Sequence, residues 1–258
     1  MELQGKRIIV TGGARGMGAA TVRAYVKAGA DVIVMDISDD LGAELAAQAT
    51  ASGPGSAAYL HVDVSDRQSV DTAFAEAVKR LGGLDVLAHP AAIQRSSSAS
   101  KVTDEDWDLM FAVNVRGTML TNQAAHRYMK ESGGGSIINF GSISGLRPEV
   151  SAAAYSASKG AVHSWTRTAA GTWGRDKVRV NAILPAIATP MFEEALARLN
   201  DKQKNENQWL NFSSIALGQQ YGDPDEDLAP VMVFFASEAS KFITGQLIPV
   251  DGGQTSGL

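Results

Sequence analysis

The chain has 258 residues, 45% of them hydrophobic, a net charge of −5 and no cysteine. That length and apolar share suit one large α/β unit with a sizeable core. The acidic balance and the lack of thiols exclude a basic nucleic-acid surface, disulfides and thiolate metal centres. The four histidines, His61, His89, His126 and His163, show no metal-ligand spacing. Residues 1–6 hold no apolar signal stretch, and no apolar run reaches the roughly 18 residues that span a bilayer. A cytoplasmic protein with no metal, nucleic-acid or membrane partner is expected.

In chain order, residues 7–10 form a short apolar run that ends at a glycine-rich loop, Thr11-Gly12-Gly13-Ala14-Arg15-Gly16-Met17-Gly18. Residues 22–28 belong to the helix that follows. Further strands are expected at 31–35, 57–62, 84–88, 136–140, 178–183 and 246–250, with helical patterns of 12 residues or more between them. These strands read as continuous apolar runs, as strands buried on both faces do. The alternation predicts a Rossmann-type, doubly wound parallel sheet of about seven strands with helices on both faces. Residues 96–100, small and polar, read as a loop before a helix starting near Thr103, which caps it ahead of Asp104, Glu105 and Asp106. One domain, 1–258, is the expectation, with a substrate lid at about 189–222 that carries Phe192, Trp209, Phe212 and Tyr221.

The glycine loop follows a strand and opens a helix, the context a dinucleotide site needs. Glycines let the backbone approach a pyrophosphate, and the helix end offers free N–H groups. Asp36 ends the second strand, near the roughly 20-residue offset at which a carboxylate meets the ribose. It would repel a 2′-phosphate, whereas Arg15 could hold one. The carboxylate lies directly against the 2′ position, so NAD is expected rather than NADP.

The chemistry lies in Tyr155-Ser156-Ala157-Ser158-Lys159, with Ser142 upstream. A tyrosine with a pKa of about 10 is a poor base. Four residues along a helix, Lys159 shares its face and would favour the phenolate. A tyrosine so tuned can take a proton from an alcohol or return it to a ketone, with Ser142 hydrogen-bonded to the same oxygen. No side chain accepts a hydride, so a cofactor must. Two other matches fail: Ser156-Ala157-Ser158-Lys159 lacks its partner motifs, and Gly141-Ser142-Ile143-Ser144-Gly145 has Ile143 where a nucleophile elbow needs serine.

Over essentially its whole length the chain resembles a single-domain short-chain dehydrogenase/reductase. The motifs are Thr11-Gly12-x-x-x-Gly16-x-Gly18, Asn114-Val115-Arg116-Gly117, Ser142, Tyr155-x-x-x-Lys159, the stretch from Pro185 to Thr189, and Val250-Asp251-Gly252-Gly253. The resemblance implies that Tyr155 is the acid/base and Ser142 the partner of the substrate oxygen. It implies that Lys159 holds the nicotinamide ribose and lowers the tyrosine pKa, and that Asn114 holds a water of the proton relay. Gly12, Arg15, Gly16, Met17, Gly18, Asp36 and Ala91 would line the cofactor, Asp63 and Val64 the adenine, and Pro185, Ile187 and Thr189 the nicotinamide carboxamide. It also implies a homotetramer or homodimer with the C-terminal strand at a subunit contact.

Two departures stand out. His89-Pro90-Ala91-Ala92 replaces the family's usual Asn-Asn-Ala-Gly, and Ala186 follows Pro185 where the family has glycine. Both are expected to be tolerated, with His89 a structural residue rather than a pH-sensing one. The expected function is NAD-dependent interconversion of a secondary alcohol and a ketone. The substrate pocket is drawn from residues 93–96, 146–150 and the lid. Arg95 and Arg147 could meet an anionic or hydroxylated substrate, and the lid aromatics suit a cyclic alcohol, sterol or sugar. The alternatives are an NADP-dependent carbonyl reductase, suggested by Arg15, and a non-catalytic NAD-binding homologue, suggested by His89-Pro90.

Overall fold

A computed structural model of the chain describes residues 2–189 and 212–255. Seven strands, β1 (Arg7–Thr11), β2 (Asp31–Asp36), β3 (Ser56–His61), β4 (Val86–His89), β5 (Gly135–Phe140), β6 (Val178–Pro185) and β7 (Leu247–Val250), form one sheet in the order β3-β2-β1-β4-β5-β6-β7. Every pairing is parallel. The expected strands fall within two residues of these bounds. The fold class is the doubly wound one read from the sequence.

The apolar runs have two faces because side chains alternate along a strand. Ile8, Val10, Val32 and Val34 pack on one side with Val22 and Tyr25 of α1 (Gly16–Lys27), Leu45 of α2 (Asp39–Ser52) and nearby apolar residues. Ile9, Ile33, Met35 and Leu87 pack on the other with Phe74 of α3 (Arg67–Leu81) and nearby apolar residues. Thr103 caps α4 (Asp104–Met110) by accepting from the Asp106 N–H at 3.2 Å, as its sequence predicts. The helix does not then run on evenly. Residues Phe111–Arg116 make a π-helical turn before α5 (Gly117–Glu131), a local widening common at functional sites.

The 21-residue helix α6 (Ala153–Trp173) buries a stripe of small residues, among them Ala154, Ser158, Ala169 and Ala170. Reciprocal amides of Asn122 and Asn139, 2.9 and 3.0 Å, tie α5 to β5, and Trp165 of α6 donates to Asn122 at 3.0 Å. This polar pin sits under β5, at whose carboxyl end Ser142 lies. The apolar helix α7 (Ala229–Ala236) covers the first face. Among the described residues no helix is long and apolar enough to cross a membrane.

The strand order reverses between β1 and β4, so their carboxyl ends diverge into the crevice where ligands bind in such sheets. Of the lid expected at 189–222, residues 190–211, including Phe192 and Trp209, lie outside the described residues. At its far end Phe212 and Tyr221 meet edge to face with ring centroids 5.2 Å apart.

Candidate active site

A cleft of about 330 Å³ opens at that crevice. Gly12, Arg15, Gly16, Met17, Gly18, Asp36, Asp63, Val64, Ala91 and Thr189 all line it, as their motifs predict. The floor is backbone. Gly12 and Gly16 have φ of +60° and +55°, and a Cβ on Gly12 would come 2.6 Å from the Ala91 Cα. A Cβ on Gly18 would overlap the Gly12 carbonyl. Helix α1 begins here with no side-chain cap at Arg15 and no acid in its first turn. Its N–H groups and partial positive charge therefore face the cleft unneutralised, a cradle that fits a pyrophosphate.

Asp36 forms one wall. Its Oδ2 accepts from the Ala14 N–H at 3.1 Å and its Oδ1 from the Ser38 N–H at 3.0 Å. Each carboxylate oxygen keeps a further lone pair. Asp63 is fixed in the same way, its Oδ1 accepting from the Ser65 backbone and hydroxyl at 2.8 and 2.7 Å. The sequence reading passed over Ile37 and Ser38, which also line the cleft. The available signal was their position directly after Asp36 at the carboxyl end of β2.

The reacting groups converge on the carboxyl end of β5. Tyr155 and Lys159 rise from the first two turns of α6, and the Lys159 Nζ lies 5.6 Å from the Tyr155 ring centroid. Nζ also donates to the Phe140 carbonyl at 2.7 Å. Ser142 caps a short turn over Ile143–Gly145, its Oγ accepting from the Ser144 N–H at 3.1 Å. The same Oγ donates to the Ser144 Oγ at 3.2 Å, and Ser144 donates to Glu149 Oε2 at 2.9 Å.

Asn114 sits in the π-helical turn, buried. Its Oδ1 accepts from the Ile93 N–H at 2.8 Å, and its Nδ2 donates to the Ile93 carbonyl at 2.9 Å and to the Ser158 Oγ at 3.0 Å. Its side chain thus ties the loop after β4 to α6. Pro185 ends β6, Ile187 pairs with Gly222, and Thr189 reaches the cleft rim.

The electrostatics differ from the expectation in one respect. Lys159 was expected to lower the Tyr155 pKa, yet burial of the phenol pushes it up to about 12, Ser142 offsets part of this, and the Glu149 carboxylate adds to it. Burial also brings Lys159 down to about 8, so its ammonium is only weakly held near neutral pH.

A family model described as enoyl-(acyl carrier protein) reductase matches residues 12–255. The chain belongs to the short-chain dehydrogenase/reductase family. It is 38% identical to momilactone A synthase of Oryza sativa subsp. japonica over 98% of this chain and 90% of that one. It is 35% identical to a 2,5-dichloro-2,5-cyclohexadiene-1,4-diol dehydrogenase of Sphingobium indicum, over 100% and 99% of the two chains. A solved short-chain dehydrogenase/reductase from Mycobacterium ulcerans, 29% identical, superposes with a TM-score of 0.91 over 99% of this chain and 92% of that one. The chain is an oxidoreductase of CH–OH groups that uses a nicotinamide cofactor.

Within this dehydrogenase/reductase the departures from the family pattern have physical accounts. Pro90 follows the last ladder residue of β4, where His89 pairs with Asn139, so its missing N–H costs the sheet nothing. His89 is buried, with Nδ1 2.6 Å from the Thr11 hydroxyl and 3.2 Å from that of Thr121. It therefore ties β4 to the glycine loop. Burial and Lys159 push its pKa down to about 3, which removes it as a sensor near neutral pH.

His163 is a residue of the candidate site that the sequence reading passed over. It lies one helical turn beyond Lys159, and its Nε2 accepts the Ser142 N–H at 3.3 Å. A Cβ on Gly141 would meet its Nε2 at 2.5 Å, and one on Gly145 its Cε1 at 2.7 Å, so these glycines make room for the ring. Burial brings its pKa to about 4, which keeps Nε2 a neutral acceptor. The available signal was its spacing, eight residues after Tyr155 on one helix.

Proposed function

We propose that this enzyme interconverts a secondary alcohol and its ketone with NAD as the preferred cofactor. The observation that carries the NAD reading is Asp36, a carboxylate in the wall of the glycine-loop cleft. With its amide-bound lone pairs used, it accepts from ribose hydroxyls and repels a phosphate at the same place. The backbone of Gly12, Gly16 and Gly18 would hold the pyrophosphate, Asp63 and Val64 the adenine, and Lys159 the ribose next to the nicotinamide. Pro185, Ile187 and Thr189 would hold the carboxamide. When bound, the nicotinamide accepts or returns the hydride.

The chain's own residues handle the proton and the oxygen. Tyr155 gives its phenolic proton to a ketone oxygen, or takes the proton of an alcohol. Ser142 turns its hydroxyl from Ser144 toward that oxygen and stabilises the charge developing there. His163 holds the Ser142 backbone in place for this. Lys159, with a pKa near 8, can pass a proton to Tyr155 at working pH. Asn114 fixes the π-helical turn beside Lys159; its backbone carbonyl already accepts from the Thr118 hydroxyl at 2.6 Å, so a water of the relay would share that carbonyl's second lone pair. A phenol pushed up to about 12 favours the protonated, ketone-reducing form, so alcohol oxidation should quicken as pH rises.

The substrate belongs to the neutral secondary alcohols, with cyclic alcohols, sterols and sugars as the classes to try. The cyclic diol in the name of the Sphingobium relative supports that choice. One domain with a lid at 189–222 completes the reading. A homotetramer or homodimer in the cytoplasm fits it, supported by a second, apolar cavity of about 430 Å³ between Phe111, Val115, Met119, Val162 and Trp165.

One observation favours a second reading. Arg15 is exposed and lines the same cleft as Asp36, where it suits the extra phosphate of NADP and a carbonyl reductase. Fluorescence titration with NADH and with NADPH tests the pair. Tighter NADH binding supports the NAD reading, tighter NADPH binding the second, and binding of neither a non-catalytic homologue with an altered site.

A further inference from the structure

The hydroxyl track that leaves Ser142 ends on a charge that the acid/base chemistry does not use. Ser142 Oγ and Ser144 Oγ lie 3.2 Å apart, and Ser144 donates onward to Glu149 at 2.9 Å. Ser144 is buried and Glu149 half-buried, in the loop between β5 and α6. The backbone holds Glu149 there, because its carbonyl accepts the Ala152 N–H at 3.2 Å and Ala152 forms a parallel bridge with Ser97 of the loop after β4. The carboxylate is thus one hydroxyl removed from Ser142, through the Ser144 side chain.

Two neighbouring oxygens of a gauche vicinal diol stand about one hydrogen-bond length apart. The Ser142 and Ser144 hydroxyls have that spacing. When Ser142 turns to the reacting oxygen, Ser144 loses its donor and its lone pair becomes free for another. A hydroxyl on the adjacent carbon can donate to Ser144 or directly to Glu149. The geometry points to Ser144 and Glu149 as a specificity-determining pair that reads a second, vicinal hydroxyl, so that the substrates are neutral polyols, sugars or cyclic 1,2-diols. A carboxylate or phosphate on that carbon would meet Glu149 as a like charge, which disfavours 2-hydroxy acids. An apolar substrate with a single hydroxyl would offer the half-buried carboxylate no hydrogen bond beyond that of Ser144.

This inference rests on the alcohol dehydrogenase reading above, and its test separates the two. Purified enzyme is assayed with NAD on cis- and trans-1,2-cyclohexanediol and on cyclohexanol, and kcat/KM is expressed as the ratio of the better diol to the monoalcohol. A hydrogen bond to a charged group predicts a ratio of about tenfold or more. Glu149→Gln and Ser144→Ala should each bring the ratio down several-fold toward one, whatever they do to the rate common to both substrates. NADH titration of each variant checks that it is folded, and if Glu149→Gln does not fold, Ser144→Ala carries the test. A wild-type ratio near one, or a ratio that survives both substitutions, overturns the inference while leaving the dehydrogenase intact. If neither alcohol is oxidised with NAD or NADP, and neither cyclohexanone nor 2-hydroxycyclohexanone is reduced, the dehydrogenase reading itself falls and the inference with it.

Discussion

The cofactor cleft and the cluster of groups at the end of β5, the two halves of the candidate site, are specified in different ways. The cofactor half, between β1 and β4, is built from backbone: two left-handed glycines, a helix end without a cap, and Ala91 packed against Gly12. The reacting half, between β5 and α6, is built from side chains joined in series, from His163 through Ser142 and Ser144 to Glu149. A backbone cradle tolerates almost no added atom, and its failures are steric. A chain of hydroxyls and charges tolerates volume but not a change of proton count. Substitutions in the first half should therefore act on cofactor affinity, and those in the second on rate, pH profile and substrate choice.

The largest break is expected at Gly18. A side chain there overlaps the Gly12 carbonyl, so Gly18→Val should abolish measurable NADH binding in a fluorescence titration. Affinity close to wild type would mean that the loop is not the pyrophosphate cradle. Asp36 comes next. Asp36→Ala removes a charged acceptor worth about 1.5–3 kcal/mol, so NADH should bind roughly ten- to a hundredfold more weakly while NADPH gains. An unchanged ratio would hand cofactor choice to Arg15.

A smaller effect lies in the pH dependence of stability. Lys159 falls from 10.5 to about 8 on folding. Between those values the unfolded chain binds a proton that the folded chain does not, so Lys159 makes stability rise with pH through that window. By pH 9.5 this amounts to roughly 2 kcal/mol relative to pH 7. Denaturant unfolding of Lys159→Met should lack the rise. A parallel pH dependence in both proteins would show that the lysine is not desolvated. Tyr25, buried and raised well above its ordinary value, acts in the opposite sense only above pH 10, outside this comparison.

The smallest effect is expected at His89. His89→Asn restores the residue usual in the family and should change kcat/KM by no more than about 1 kcal/mol, a factor of roughly five. Its pH profile should keep its shape, because the histidine stays neutral above about pH 3. Loss of an inflection near neutral pH would contradict this.

The sheet was legible because its strands are unbroken apolar runs, and the positions of the glycine loop, Asp36, Ser142, Tyr155 and Lys159 because local spacing sets them at strand ends and on one helix face. The π-helical turn at Phe111–Arg116 was not legible, since nothing in its apolar pattern distinguishes a widened turn from an ordinary one. Ser144 and His163 were passed over, and Glu149 entered only as part of the pocket stretch 146–150, because their contacts depend on how the loop after β5 folds against α6. The Tyr155 pKa was misjudged for a related reason. Sequence spacing gives the neighbouring ammonium, but burial and the Glu149 charge are tertiary facts that raise the phenol, and Ser142 is the group that offsets them.

The most direct test of the account is Tyr155→Phe, measured twice on the same preparation: NADH affinity by fluorescence and turnover of a secondary alcohol with NAD. The two halves of the candidate site being separate, the account predicts NADH affinity within a few-fold of wild type and turnover lowered by a factor of about 10²–10⁴, the usual worth of a general acid/base. Turnover above a few percent of wild type, with affinity intact, would show that another group moves the proton.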